Sequence, residues 1–199
     1  MSTNIPTARS FEFVYTVSML FGRGSMARIV ADQADLSTSD FVVDVGCGPG
    51  TAVRRARRER AATAVGIDPS PQMLRLARWI TSVRRVHGAS FLEGSAESLP
   101  LDSASATVVW ALQSVHHWED RSRGLKESLR VLAPGGRLVL LERFVTTGAR
   151  GHAAQGLSER EANDLASLLS RTGFTNIVKR VVPLGHRNFV VVTAWAPAS

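Results

Sequence analysis

The stretch Phe41-Val42-Val43-Asp44-Val45-Gly46-Cys47-Gly48-Pro49-Gly50-Thr51 decides how the chain folds. It opens on a short apolar run, rich in β-branched valine, that carries one acid, Asp44. Such a run, bounded by glycine, reads as a parallel strand buried on both faces. Three glycines separated by single residues then turn the chain. With no Cβ, the backbone there can bend sharply and come close to a bound group. The spacing G-x-G-x-G lacks the extra residue of the dinucleotide pattern G-x-G-x-x-G. No Lys-Ser or Lys-Thr follows, as a phosphate-cradling loop requires. The loop therefore suits a nucleoside whose tail is not a pyrophosphate. A helix opening at Thr51 would turn its positive amino-terminal end toward that ligand.

Working outward, Val65-Gly66-Ile67-Asp68 is a second short strand ending in an acid, with Asp68 lying 22 positions after Gly46. In parallel nucleotide-binding sheets an acid at about this distance bonds the ribose hydroxyls. Ser70 is a plausible N-cap for a helix over 71–82, with Pro71 in its first turn. Apolar runs predict further strands at 89–93, 107–112 and 137–142. A helix over 122–132 is expected to end at the Pro134-Gly135-Gly136 turn, and one over 159–171 to stop at Gly173. Segments 177–182 and 189–195 are joined through Pro183-Leu184-Gly185-His186, a link short enough for an antiparallel hairpin. Residues 11–33 read as helix, broken near Gly22 and Gly24. The fold class is α/β: a Rossmann-like, seven-stranded, mostly parallel sheet with helices on both faces and a C-terminal antiparallel hairpin. No repeat or second domain is visible. Residues 1–199 form one unit, with 1–35 a helical lid or cap and 36–199 the core.

The two strand-end motifs together resemble the class I S-adenosylmethionine-dependent methyltransferases, in their type-11-like small-molecule branch. Four further blocks continue the likeness in order across residues 40–145: Ser70-Pro71-Gln72-Met73-Leu74, Glu93-Gly94-Ser95-Ala96-Glu97-Ser98-Leu99-Pro100, Ser114-Val115-His116-His117-Trp118 and Leu132-Ala133-Pro134-Gly135-Gly136-Arg137-Leu138. The resemblance implies S-adenosyl-L-methionine as cofactor, S-adenosyl-L-homocysteine as product and no metal. It places Asp44 at the cofactor's amino group, directly or through water. The backbone of Gly46, Cys47, Gly48 and Gly50 would lie along the methionyl tail, and Asp68 on both ribose hydroxyls. Met73 would pack on adenine, Ser95 and Ala96 would meet its edge, and Ala111 and Gln113 would flank the reacting methyl. The chain departs from the family in two places. Ser95 stands where an acid is usual, which weakens the adenine contact. Ala106-Thr107 replaces an aromatic-acid pair, which should affect only packing.

Methyl transfer needs alignment of donor and acceptor at about 3–3.5 Å, exclusion of water, and often a base. His116 and His117 are the leading bases, since histidine titrates near neutrality. At most one of two adjacent histidines on a loop can face the site. Glu142, at the end of the fifth strand, is a further candidate, although an edge salt bridge explains it as well; His186 ranks below it. Trp118 is either an acceptor-pocket wall or a buried anchor.

The 44% hydrophobic content excludes a disordered chain. No apolar run approaches the ~20 residues of a membrane span. Cys47 is the only cysteine, so no internal disulfide forms and the cytoplasm is the expected location. The net charge is +7 and Lys126 and Lys179 are the only lysines. The run Arg54-Arg55-Ala56-Arg57-Arg58-Glu59-Arg60 is either a patch for nucleic acid or the solvated face of a helix, the second being the simpler reading. A small-molecule acceptor is the first hypothesis for the substrate. RNA or protein methylation, or cofactor binding without transfer, are the alternatives. The segment between Glu142 and Leu157 leaves little room for substrate-binding helices. The acceptor pocket is therefore open, completed by the second subunit of a homodimer, or formed by residues 1–30.

Overall fold

The computed structural model describes residues 24–59, 61, 63–145 and 156–198. The amino-terminal helix expected over 11–33 enters the described residues only as helix α1, residues 24–34. The break at Gly22 and most of the loop after Phe144 lie outside them.

Seven strands form one sheet: β1 (Phe41–Val45), β2 (Thr63–Asp68), β3 (Ala89–Glu93), β4 (Ala106–Leu112), β5 (Leu132–Arg143), β6 (Thr175–Leu184) and β7 (Arg187–Trp195). Their order is β3-β2-β1-β4-β5-β7-β6. β1 pairs in parallel with both β2 and β4, whereas β7 runs antiparallel to β5 and β6. The chain moves outward from β1 to β3 and then crosses back to start β4 on the other side of β1. That reversal opens a crevice above the carboxyl ends of β1 and β4, where such sheets bind ligands.

The side chains of the central strands alternate between two apolar layers. Val43, Val109, Ala111, Leu138 and Leu140 face a core shared with α4 (Arg121–Val131) and α5 (Glu159–Thr172). Val42, Val108, Trp110, Val139 and Leu141 face α1, α2 (Thr51–Glu59) and α3 (Pro71–Val83). Helices thus cover both faces, as the uniformly apolar strands require. Each fully buried large side chain contributes about 1.5–3 kcal/mol.

Local signals behave as their chemistry dictates. The Ser70 hydroxyl accepts from the Met73 N–H at 3.3 Å, capping α3 behind Pro71. Ser158 and Glu161 form a reciprocal capping box at α5, and Gly173 ends that helix at φ 108°. Other expectations need correction. α4 stops at Val131, and β5 begins at Leu132, before the Pro-Gly-Gly segment rather than after it. The register passes from Ala106–Leu132 directly to Val108–Arg137, so Ala133 to Gly136 form a bulge that tolerates the proline. The hairpin link is only Gly185-His186, because the β6–β7 ladder continues to Leu184–Arg187. Arg54 is not on a solvated face. It is 4% exposed and donates to the Pro49 carbonyl at 2.7 Å.

Thr107 does more than pack. Its hydroxyl donates to Asp40 at 2.7 Å and accepts from the Phe41 N–H at 3.0 Å. Asp40 also receives the Ser37 N–H at 2.7 Å and the Arg137 guanidinium at 2.6 Å. Burial alone would raise this carboxyl. The Arg137 hydrogen bond, with those of Ser37 and Thr107, overcomes that and holds it below the usual range. The network pins the starts of β1 and β4, and β5 just past its bulge, at the end of the sheet opposite the crevice. Among the described residues, no helix is long and apolar enough to cross a membrane.

Candidate functional site

The glycine loop folds back over β2. The N–H groups of Gly46 and Cys47 both donate to the Ile67 carbonyl, at 2.8 and 3.0 Å. Gly46 and Gly50 each have φ 74°. A Cβ at Gly46 would sit 2.5 Å from the Ser114 Cβ, and one at Gly50 2.5 Å from the Phe91 ring. Close neighbours, as well as the turn itself, therefore demand these two glycines. Ser114 in turn donates to the Val45 carbonyl at 2.7 Å, which ties the end of β4 to the end of β1.

Asp68 ends β2 and joins two pieces of backbone. One carboxylate oxygen accepts the Gly48 N–H at 2.8 Å, and the other accepts the Ser70 N–H at 2.9 Å. It is 8% exposed. Each oxygen keeps a lone pair for a further donor.

These groups open onto a cavity of about 710 Å³ at the carboxyl ends of the strands. Of the residues expected at the site, the structure brings Gly46, Gly48, Asp68, Met73, Ser95, Ala96, Gln113 and His117 to the cavity wall. Asp44, Cys47, Gly50, Ala111, His116 and Glu142 are not part of that wall, and His186 lies exposed in the β6–β7 turn. Asp44 and Cys47 are each 2% exposed and Ala111 is fully buried. Gln113 has φ 49°, a left-handed conformation that glutamine rarely adopts. Its N–H donates to the Leu141 carbonyl at 2.7 Å. Strain of this kind, about 1–3 kcal/mol, concentrates at functional sites.

Ser95 hydrogen-bonds the Glu97 carboxylate. Burial would raise the Glu97 carboxyl, but the hydrogen bonds from backbone N–H groups and from Ser95 lower it. Glu97 also lines the cavity, two positions beyond Ser95.

Val115–His117 form a 3₁₀ turn, and its two histidines part ways. His117 lines the cavity. His116 turns to Glu142, with Nδ1 2.7 Å from one carboxylate oxygen. The other oxygen accepts the Val115 N–H at 2.8 Å. Glu142 is fully buried, so its pairing is an interior clamp on the turn and not an edge salt bridge. The two imidazole rings lie 4.0 Å apart, centroid to centroid.

Sequence reasoning missed Arg123 and Glu97 at the cavity. The Arg123 guanidinium donates to the Glu97 carbonyl at 2.9 Å, a contact over 26 residues that no local pattern signals. Trp118 proves to be both wall and anchor. It lines the cavity and packs on Gly124 of α4, where a Cβ would lie 2.5 Å from its ring. Its indole N–H is buried and has no partner among the described residues.

Residues 43–140 match the family described as the methyltransferase domain. Over that stretch, just under half of its length, the chain is similar to methyltransferase domains. The chain is 33% identical over 113 residues to the chloroplastic tocopherol O-methyltransferase of Arabidopsis thaliana, covering 56% of this chain and 32% of that one. It is 36% identical over 108 residues to the demethylmenaquinone methyltransferase of Chlorobaculum tepidum, covering 54% and 43%. This chain thus spans less than half the length of these curated relatives. The crystal structure of a SAM dependent methyltransferase from Aquifex aeolicus superposes with a TM-score of 0.72 at 19% identity, over 85% of this chain and 89% of that one; this likeness is one of fold.

Proposed function

We propose that this methyltransferase moves a methyl group from S-adenosyl-L-methionine to a small-molecule acceptor. The observation that carries the reading is Asp68. Its carboxylate is held between the glycine loop and the start of α3, on the wall of a cavity at the point where the strand order reverses. When bound, the cofactor supplies a methyl group made electrophilic by its sulfonium. Asp68 accepts the two ribose hydroxyls through its free lone pairs. Met73 packs on the adenine, and Ser95 and Glu97 accept from its amino group. Gly46, Gly48 and Gln113 bound the tail and the reacting end.

His117 takes the acceptor's proton, since it is the histidine on the cavity wall. Glu142 and His116 hold the turn that presents it. Similarity to two relatives, a tocopherol and a demethylmenaquinone methyltransferase, favours a small-molecule acceptor.

Calorimetry with S-adenosyl-L-methionine and S-adenosyl-L-homocysteine, followed by a labelled-methyl screen of metabolite pools, tests the proposal. Both nucleosides should bind. Asp68→Ala should weaken binding by about 1.5–3 kcal/mol, the size of hydrogen bonds to a charged group. Undiminished affinity in that variant removes the ribose assignment. Binding without any labelled product removes the transferase activity.

A further inference from the structure

The net charge of +7 is concentrated in one part of the chain. Of the 24 basic residues, nine arginines lie within residues 51–87; of the 17 acids, only Glu59 and Asp68 do, which leaves fifteen of each sign elsewhere. Arg54, Arg55, Arg57 and Arg58 lie on α2, Arg75 and Arg78 on α3, and Arg84 and Arg85 just after it. On α3, Trp79 is 64% exposed and Val83 63%, the two most exposed large hydrophobic residues among those described. They lie four residues apart, so they sit side by side on one helix face. Arg75 and Arg78 are exposed on the same helix, and Arg84 and Arg85 follow its end. No ion pair engages Arg75, Arg84 or Arg85 among the described residues. A cleft of about 530 Å³ beside them is lined by Arg78, Ser82, Arg85, His87 and Ser90. Arg54, just beneath, is pushed down to about 10 by burial and by the charges of Arg84 and Arg58. Among the described residues, no ion pair neutralises the positive charge of Arg75, Arg84 and Arg85. Only the first turn of α3 reaches the cofactor cavity, through Ser70 and Met73.

We propose that the exposed face of α3 docks the methyltransferase onto an anionic lipid bilayer. Water is a poor environment for Trp79 and Val83, and Arg75, Arg84 and Arg85 have no ion-pair partner among the described residues. A bilayer with anionic headgroups supplies an apolar phase and negative charge together. A nucleic acid would stack on Trp79 but leave Val83 in water. At 13 residues, α3 is about 20 Å long, so it lies along the interface and does not span it. The inference is independent of the acceptor's identity and of the base.

Co-flotation with phosphatidylcholine vesicles and with equimolar phosphatidylcholine–phosphatidylglycerol vesicles tests it. The protein should bind only the anionic vesicles and leave them as salt is raised. Tryptophan emission should shift to the blue on binding, because Trp110, Trp118 and Trp195 are already buried or half-buried. Trp79→Phe should bind without that shift. Arg75→Gln and Arg85→Gln should each lower vesicle affinity about fivefold, with circular dichroism, melting temperature and cofactor affinity unchanged. Equal retention on both vesicles, or no retention on anionic ones at low salt, overturns the proposal. So does capture of a single-stranded RNA oligonucleotide while vesicles are ignored, which would assign the face to nucleic acid.

Discussion

At Asp68 both carboxylate oxygens already accept a backbone N–H, from Gly48 and from Ser70. The residue is therefore a latch for the loop as well as the proposed ribose ligand. Asp68→Ala should lower the melting temperature in addition to weakening cofactor binding. Thermal melts with and without S-adenosyl-L-homocysteine separate the two losses, because ligand stabilisation follows affinity alone. The histidines divide similarly. His117→Ala should reduce turnover by about 10²–10⁴ with cofactor affinity intact, the usual range for a positioned proton acceptor. Turnover near wild type would strip His117 of the role. Glu142→Ala leaves the Val115 N–H and the His116 ring without their buried partner. Each orphaned group costs about 1–3 kcal/mol, so urea unfolding should show a loss of at least ~2 kcal/mol. Wild-type stability in that variant would mean that the clamp carries no energy.

Among the elements, α4 shows how a helix shapes the cavity through one missing carbon. Glycine inside a helix costs roughly 0.8–1.0 kcal/mol relative to alanine. Gly124 is retained where Trp118 presses on the helix, with Cε3 2.5 Å and Cζ3 2.9 Å from where a Cβ would be. Gly124→Ala should therefore destabilise despite its better helix propensity, by about 1–3 kcal/mol for the overpacked contact. Because Trp118 lines the cavity, cofactor affinity should fall with it; a gain in stability with unchanged affinity would show that Trp118 moves aside freely. The 3₁₀ turn at Val115–His117 follows the same logic. Three bonds hold it: Ser114 to Val45, Val115 to Glu142 and His116 to Glu142. The turn is rigid because strands β1, β4 and β5 meet beneath it.

Over the whole molecule, polar pinning lies at both ends of an apolar sheet. The Asp40–Arg137–Thr107–Ser37 network closes the end opposite the cavity. Folding lowers the Asp40 carboxyl below its usual value. Its contribution to stability is thus complete above the unfolded carboxyl's value, near 4, and is lost as pH falls through the lower folded value. Urea midpoints should be insensitive to this group between pH 5 and 7 and should fall below about pH 4. Asp40→Asn should flatten that acid limb and lower the plateau. An unchanged acid limb in the variant would place the titration elsewhere.

The strands, the glycine loop, the Ser70 cap and the Gly173 stop were legible because each depends on neighbours within a few residues: side-chain period, backbone freedom, a nearby hydroxyl. The strand-end acid Asp68 was legible for the same reason, since a fixed spacing follows from one βα unit. Tertiary structure alone decided which histidine meets the cavity, because Glu142 lies 26 residues from His116. It likewise decided that Arg54 is buried, that Thr107 bridges to Asp40 and that Arg123 joins the wall. Those outcomes depend on strand register and helix packing, which bring together side chains whose separation in the chain carries no periodic signal.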